Sequence, residues 1–281
     1  MKLIEVIDLL NKCKVIRKHL DVYLQRRGEA WFNPEEFNNK EPLAPIIGTI
    51  CDEQIKADVA WQIPFHLSQW LNQQGKEFKA SEIQKLGKQN LRTWLKDHMH
   101  GKWPKKMFRD KREKWLDNIS ESIINTCKKI SEKYNDDPDS IFMINDGKLS
   151  IPLVYFILRQ FDGIGPKKAS MIARDFGNEC DWLKSIRKRL HDKGISIEVT
   201  DIHFTEVPID RHVQRVFPRL FGYKFNTQDI QNLARLIYPE NPGLVDKFIW
   251  ELGREVCKNK PLCEKCNLNN ICEYYKGRSK R

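Results

Sequence analysis

The sequence predicts an all-α protein with a minor β insertion. Through most of the 281 residues, apolar side chains recur at spacings of three and four, which is the pattern of amphipathic helices. One segment, 195–207 with the sequence ISIEVTDIHFTEV, alternates instead in the manner of a strand and predicts a hairpin or an extended excursion. The length is enough for one large or two modest lobes with proper cores, and a hydrophobic content of 40% is that of an ordinary globular protein.

The helical pattern divides into segments separated by polar breaks. The first helix is predicted over 4–24 and ends before Gly28, a residue type suited to a helix C-cap. After a loop rich in Asn, Pro and Glu, two helices are predicted over 43–50 and 57–71, and Ser81 is expected to cap the helix that follows. Further helices are predicted over 105–134 and 152–161.

A glycine-containing turn between two helices lies within residues 158–177, LRQFDGIGPKKASMIARDFG. Gly163 and Gly165 allow a sharp turn and a close approach of the backbone to a ligand, and Pro166 suits the first turn of the second helix. The free N–H groups at the start of that helix favour an anion such as a DNA phosphate. The alternative is an ordinary helix–turn–helix corner that binds nothing.

A cysteine ladder near the C-terminus, C-x5-C-x2-C-x5-C, consists of Cys257, Cys263, Cys266 and Cys272. One close pair flanked by a single cysteine on each side favours a 4Fe–4S cluster over structural zinc, which usually has two close pairs. Two disulfides are the third alternative, but disulfide scaffolds are typically small secreted proteins. The remaining cysteines are expected to be small core residues: Cys13, Cys51, Cys127 and Cys180.

The charge of the chain indicates a class of partner. The 49 Lys and Arg residues outnumber the 38 Asp and Glu residues, and the formal net charge of +11 favours a polyanion. Many of these residues are expected to form solvated helix faces, so charge alone does not identify the partner. No stretch resembles a signal peptide or a membrane span, which predicts a reducing intracellular location, cytoplasmic, nucleoid or nuclear.

Four separated segments carry a family resemblance. They are Gln54 in a turn that ends a helix, Asp162-Gly163-Ile164-Gly165-Pro166-Lys167, Val207-Pro208-Ile209-Asp210-Arg211-His212, and Gly253-Arg254 followed by Cys257. In this order they resemble the endonuclease III-like helix–hairpin–helix (HhH-GPD) DNA glycosylase family. The resemblance covers roughly residues 45–275, and the lysine-bearing hairpin, the aspartate and the cysteine ladder together are specific.

The sequence departs from the family pattern at three places. Asp162 stands where the family's hairpin usually has Pro, and the gap between Cys257 and Cys263 is one residue shorter than is usual. The stretch between Lys167 and Asp210 is longer, which predicts an insertion at about 178–207. These departures affect the expected substrate more than the expected fold.

The resemblance implies two helical lobes with a DNA-binding cleft between them. Residues 1–44 and 208–281 would form the lobe with the 4Fe–4S cluster, and residues 45–207 a helical barrel lobe that carries the hairpin. The implied partner is double-stranded DNA with a damaged, mismatched or modified base, bound by a monomer. The cluster would chiefly hold a basic loop in its folded conformation.

The chemistry of base excision assigns roles to two residues of these segments. Cleavage of an N-glycosidic bond creates cationic character at the sugar C1′, so the site needs a nearby negative charge and a nucleophile. Asp210 and Lys167 supply these groups, and Lys168 is expected to be a second cation beside the nucleophile. The alternatives are that Lys167 merely binds phosphate and that Asp210 is the N-cap of a helix, in which case Asp201 is the next carboxylate to test.

Several residues are expected to contact DNA. Gln54 is the candidate that fills the gap left by a flipped nucleotide, and four tryptophans could line the base pocket, although such positions are usually core: Trp61, Trp70, Trp94 and Trp103. The hairpin and the cluster loop are expected to bind phosphates through Gly163, Gly165, Lys168, Lys258, Lys260 and Lys265.

Three readings of the function remain at this point. The first is a DNA glycosylase with AP lyase (β-elimination) activity through a Schiff base on Lys167. The second is a monofunctional mismatch (uracil or thymine) or modified-base glycosylase in which Asp210 activates water. The third is a non-catalytic iron–sulfur DNA-binding protein.

Overall fold

The computed structural model describes residues 3–27, 37 and 40–278, and the predicted C-cap at Gly28 lies outside them. The all-α prediction with a small β insertion is confirmed. The α-helices of the described residues are α1 (Leu3–Arg27), α2 (Ala44–Cys51), α3 (Ala57–Gln73), α4 (Ala80–His98), α5 (Arg109–Tyr134), α6 (Ile151–Arg159), α7 (Pro166–Phe176), α8 (Asp181–His191), α9 (Arg211–Phe221), α10 (Thr227–Ile237), α11 (Val245–Glu255) and α12 (Glu273–Arg278). None of these helices is long and apolar enough to cross a membrane.

The buried side chains form two hydrophobic cores. The first core extends from Leu43 to Ile197 along the chain and includes residues of α2 to α8. The second core joins α1, through buried Ile16 and Leu20, to residues between Val207 and Cys272. The N-terminal helix therefore packs against the C-terminal part of the chain.

Local sequence explains several helix ends. Asn226 and Asp229 form a capping box at the start of α10, with each side chain bonded to the other residue's backbone N–H. The Ser150 hydroxyl caps α6 by accepting from the Leu153 N–H. At the other end of α9, Gly222 has a φ of +78°, a left-handed conformation that glycine adopts without steric cost.

The predicted cap at Ser81 is wrong. Lys79 occupies the N-cap of α4, and Ser81 lies inside the first turn. The Ser81 N–H instead donates to Asp136 Oδ1 at 2.7 Å, a carboxylate that follows α5. A residue 55 positions away thus satisfies the helix start, which no local pattern could indicate.

The alternating segment 195–207 forms an extended excursion and not a hairpin. Its strand β2 (Glu198–Thr200) pairs in parallel with β1 (Lys148–Ser150), with Leu149 opposite Val199. A short 3-10 turn, Ile202–Phe204, follows β2. Alternation predicts a strand but not its partner, because the partner here lies outside the segment.

Candidate active site

Four segments of the chain are among those that line a large open cleft. They are the turn between α2 and α3, the hairpin before α7, the residues around the start of α9, and one face of α11. The first two segments belong to the part of the chain with the first core, and the last two to the part with the second core. Lys167, Asp210, Gln54, Gly163, Gly165 and Lys168 all line this cleft.

The structure constrains the two hairpin glycines differently. Gly163 has a φ of +77°, and a Cβ there would lie 2.9 Å from the Ser122 side chain and 3.0 Å from that of Ile50. Gly165 has an ordinary negative φ and open space where its Cβ would be. Gly163 is therefore required by the fold, whereas nothing in the described protein crowds Gly165 on its open side.

Asp162, the departure from the family hairpin, has a structural role here. Its Oδ2 accepts from Asn125 Nδ2 at 2.8 Å, and its backbone carbonyl accepts from the Thr126 hydroxyl at 3.4 Å. Both partners lie on α5. The aspartate thus anchors the hairpin to its neighbouring helix.

Lys168 is not the exposed cation that the sequence suggested. It is buried, and its ammonium donates to the Ile50 carbonyl at 2.8 Å, the Gly163 carbonyl at 2.9 Å and Glu53 Oε2 at 3.4 Å. These bonds use all three donors of a lysine ammonium. Burial lowers the pKa of Lys168 despite the nearby Glu53. We therefore correct the predicted phosphate contact: Lys168 fastens the hairpin to the end of α2.

Lys167 has the opposite environment. It is exposed at the second position of α7 and makes no hydrogen bond or ion pair with another residue in the described part of the chain. Its amine is therefore available to a ligand in the cleft. Next to it, Gly165 is the N-cap of α7, so that the helix start faces the same space.

Asp210 is the N-cap of α9. Its Oδ1 accepts from the backbone N–H groups of His212 at 2.7 Å and Val213 at 2.8 Å. These two bonds fix the orientation of the Asp210 carboxyl group. The cap uses Oδ1, so Oδ2 remains for a ligand. The capping role considered from sequence is thus present, and it is compatible with a catalytic role.

The turn that carries Gln54 is conformationally unusual. Gln54 is exposed and has a φ of +60°, which is uncommon for a residue other than glycine. The turn is held by the indole Nε1 of Trp115, which donates to the Glu53 carbonyl at 2.7 Å. Strained backbone of this kind is concentrated at functional sites.

Sequence reasoning missed several cleft residues. Asp52 is half-buried, and burial raises the pKa of its carboxyl, while the charges of Lys167 and Lys168 and then a hydrogen bond from Trp61 act in the opposite direction. Of the four tryptophans named from sequence, Trp61 lines the cleft, and its ring lies on Gly48, where a Cβ would approach it to 2.7 Å. The others pack against rings elsewhere: Trp70 against Trp94 in a tilted arrangement, and Trp103 edge-on against Trp115.

The ladder cysteines lie around one small pocket beside α9. Cys257, Cys263, Cys266 and Cys272 all line it, and all are free thiols. Arg219 donates to Cys257 Sγ at 3.4 Å and to the Lys258 carbonyl at 2.6 Å, which braces the loop. Four thiols with a cationic neighbour suit a thiolate-ligated metal group. No three His, Cys, Asp or Glu side chains among the described residues form a compact ligand set, so this fit rests on the donors and their shared pocket.

The lysines of the cysteine loop are exposed. Lys258, Lys260 and Lys265 all project from the surface of the segment between Cys257 and Cys266. Their positions allow contact with a polyanion, as the sequence predicted, and that contact stays a prediction.

Curated relatives resemble parts of the chain. Endonuclease III of Thermotoga maritima is 37% identical over 75 residues, which are 26% of this chain and 35% of that protein. Endonuclease III of Sulfolobus acidocaldarius is 27% identical over 153 residues, 47% of this chain and 52% of that protein. Thymine-DNA glycosylase of Aeropyrum pernix is 34% identical over 77 residues, 24% of this chain and 34% of that protein. The matches thus span between a third and about half of these relatives.

Solved structures resemble nearly the whole chain. A trapped endonuclease III–DNA covalent intermediate has a TM-score of 0.58 at 16% identity, covering 94% of this chain and 97% of that one. A thermostable thymine-DNA glycosylase has a TM-score of 0.54 at 16% identity, covering 95% and 98%. At this identity the likeness establishes the fold. No family model matches the sequence. The motifs in family order, the shared fold and the partial matches to the named relatives together make the chain similar to endonuclease III-like helix–hairpin–helix proteins.

Proposed function

We propose that this protein is a base-excision DNA glycosylase with associated AP lyase activity. The observation that carries the proposal is the shared cleft of Lys167 and Asp210, which contribute an exposed amine and an oriented carboxylate to its lining. One group suits attack on the sugar C1′, and the other suits the positive charge that develops there. The names of the relatives, Endonuclease III and Thymine-DNA glycosylase, support the same class of activity.

In the proposed reaction the target nucleotide first leaves the base stack and enters the cleft. Unstacking costs a few kcal/mol, and Gln54 fills the gap that remains. As the N-glycosidic bond lengthens, the ionised Asp210 stabilises the cationic sugar. The neutral Lys167 amine forms the new bond to C1′ as the base departs with the electron pair of the glycosidic bond and takes up a proton that the attacking nitrogen gives up. The C1′–O4′ bond then breaks, O4′ is protonated, and the nitrogen and C1′ form a Schiff base. Loss of a C2′ proton then expels the 3′ phosphate by β-elimination.

We propose double-stranded DNA with a damaged, mismatched or modified base as the partner of a monomeric protein. The net charge of +11, the hairpin N–H groups before Lys167 and the exposed lysines of the cysteine loop support phosphate binding. Such contacts position the duplex without reading its sequence. The corrected role of Lys168 removes one contact from the predicted set.

We propose a 4Fe–4S cluster as the cofactor, held by the four ladder cysteines. When bound, it would supply ligand bonds that fold the loop. The chain's own contribution is visible in Arg219, which holds the carbonyls of Cys257, Lys258 and Asn259. The exposed loop lysines would then be held toward DNA.

A monofunctional glycosylase is the second candidate. It is favoured by the similarity to a protein named Thymine-DNA glycosylase. In that case Asp210 would activate a water molecule, and Lys167 would bind phosphate. A non-catalytic DNA-binding protein is the third candidate.

Base release from a panel of duplexes separates the three. We expect excision of at least one damaged or modified base and a borohydride-trapped covalent adduct with wild-type protein. Excision without trapping would support the monofunctional reading. Binding without release from any substrate would contradict the enzymatic proposal.

A further inference from the structure

One face of α7 and one face of α11 line the cleft. Each face is a row of residues at spacings of three or four, so that they share one side of their helix. The α7 row is Lys167, Met171 and Arg174, and the α11 row is Asp246, Trp250 and Arg254. Each row runs from an exposed residue, through a half-buried one, to a buried one. The rows therefore converge at the buried residues, Arg174 and Asp246.

Two ion pairs connect the helices at this buried end. Arg174 Nη1 donates to Asp246 Oδ2 at 2.6 Å, and Lys247 Nζ lies 3.1 Å from Asp175 Oδ1. Arg174 also donates through Nε and Nη2 to the two Asp175 oxygens, at 2.9 and 3.0 Å. The group contains two basic side chains and two carboxyl groups. We call these four residues the interhelix clamp.

Close packing and a further hydrogen bond surround the interhelix clamp. The aliphatic part of Arg174 lies against Gly243, where a Cβ would be 2.8 Å from Arg174 Cγ. On the other side, α11 is fixed to the helix that Asp210 caps, because Arg215 of α9 donates to the Gly253 carbonyl at 2.8 Å. A displacement of α11 relative to α7 would thus move Asp210 relative to Lys167.

The electrostatics of the clamp also involve the catalytic pair. Burial raises the pKa of Asp246 to about 7, Arg174 and Lys167 act against this, and the negative charges of Asp210 and Asp175 add to it. Asp175, which has both clamp cations as neighbours, keeps a pKa below its usual value despite burial. Asp246 therefore lies within electrostatic range of both proposed catalytic groups.

Resting on the proposed function, we propose that the Arg174–Asp246 bridge sets the spacing of Lys167 and Asp210 in the cleft. Asp246 and Arg174 are then positioning residues: neither needs to touch the substrate. Their contribution is to hold two groups on different segments of the chain in the geometry that the reaction requires. Misplacement by about 1 Å commonly costs about a hundredfold in rate.

The test compares Asp246→Asn with a matched variant outside the cleft, Asp139→Asn. Asp139 is buried and accepts two bonds from Arg189, at 2.5 and 2.9 Å, and neither residue lines the cleft. Both substitutions remove one buried carboxylate charge from an arginine. We expect Asp246→Asn to lower the single-turnover excision rate about a hundredfold with DNA affinity within about threefold, and Asp139→Asn to leave both within about threefold.

Two further measurements exclude a merely structural explanation. Arg174→Lys retains a cation but lacks the fork that reaches both carboxylates, so it should also lose rate and not affinity. In the Asp210→Asn background, Asp246→Asn should cost much less than in wild type, because one variant acts through the residue that the other alters.

Equal losses in Asp246→Asn and Asp139→Asn, or full multiplication of the losses in the double variant, would overturn the inference while leaving the glycosylase proposal in place. A wild-type protein that releases no base from any substrate would overturn both.

Discussion

Lys167 and Asp210 differ in their structural roles. Lys167 makes no hydrogen bond or ion pair with another described residue, whereas Asp210 caps a helix. Lys167→Ala should therefore abolish borohydride-trapped adducts without loss of stability, while DNA binding is retained, because the covalent path alone needs the amine. Trapping on a duplex with an abasic site measures this. Wild-type levels of adduct in the variant would mean that another amine forms the Schiff base.

The substitution Asp210→Asn removes the negative charge of the side chain but keeps a residue that can cap the helix. Asparagine is as good an N-cap as aspartate, so we expect an unchanged melting temperature. The excision rate should fall by orders of magnitude, and DNA affinity should stay equal or rise, because the lost charge matters in the transition state and otherwise repels phosphates. Asp210→Ala is the control that loses the cap as well. Near-normal single-turnover excision by Asp210→Asn would leave the aspartate as a helix cap only.

The hairpin glycines provide a matched pair of substitutions. Gly163→Ala should destabilise the protein by about 1–3 kcal/mol, because φ is positive and the Cβ meets Ser122 and Ile50. Gly165→Ala should leave stability nearly unchanged and weaken binding to any duplex, because the open space beside it is where a phosphate would approach. Chemical denaturation and DNA titration measure the two effects. Undiminished binding by Gly165→Ala would place the phosphate elsewhere.

At the scale of elements, the C-terminal end of α4 contains a pH-sensitive stack. His98 lies on the Trp94 ring at 5.1 Å with an interplanar angle of 11°, and Lys102 Nζ is 3.0 Å from its Nε2. Burial, followed by the charges of Lys102 and His66, lowers the pKa of His98 to about 4. The folded state therefore keeps a neutral imidazole at a pH where the unfolded chain already binds a proton.

The difference between the His98 pKa in the folded protein and in the unfolded chain determines the sign of the pH dependence of stability. Between the ordinary value of 6.5 and about 4, the unfolded state binds more protons, so the His98 contribution to stability falls as the pH is lowered through this window. We expect His98→Gln to lose less stability than wild type between pH 7 and pH 5, measured by urea denaturation. Parallel losses in the two proteins would contradict this assignment.

Local sequence alone does not stabilise the conformation of the cysteine loop. Between α11 and α12 it contains short 3-10 turns, at Cys263–Lys265 and Asn269–Ile271. If the cluster folds this loop, anaerobically purified protein should contain iron, and Cys263→Ser should lower iron content, stability and DNA affinity. Cys180→Ser, outside the ladder, should retain iron. Stoichiometric zinc without iron in wild type would replace the cluster with a structural zinc site.

For the whole molecule, the charge predicts a strong salt dependence of DNA binding. If the hairpin and the cysteine loop together neutralise about five phosphates, log K should fall with log salt with a slope of about −4 to −5. Replacing exposed Lys260 with Ala should reduce the slope by about 1, whereas replacing buried Lys168 with Met should not change it. A flat response to salt would contradict phosphate binding at these sites.

The sequence by itself determined the helical class and the chemistry available to the site. Three- and four-residue periodicity predicted helices because it reports the buried face of each segment, and the hairpin, the aspartate and the cysteine ladder are local patterns with fixed spacing. These signals need no knowledge of distant neighbours. They therefore made Lys167, Asp210 and the four ladder cysteines the candidate site residues before any packing was known.

The tertiary structure decided which of these groups meet and which are already occupied. Lys168 looked like a second free cation, but its partners Ile50 and Glu53 lie more than a hundred positions away. The Asp136 cap on α4, the strand partner of Val199 and the Arg174–Asp246 bridge have the same origin. Each depends on chain segments that meet only after the cores form, and hydrophobic periodicity carries no information about which polar groups then lie opposite each other.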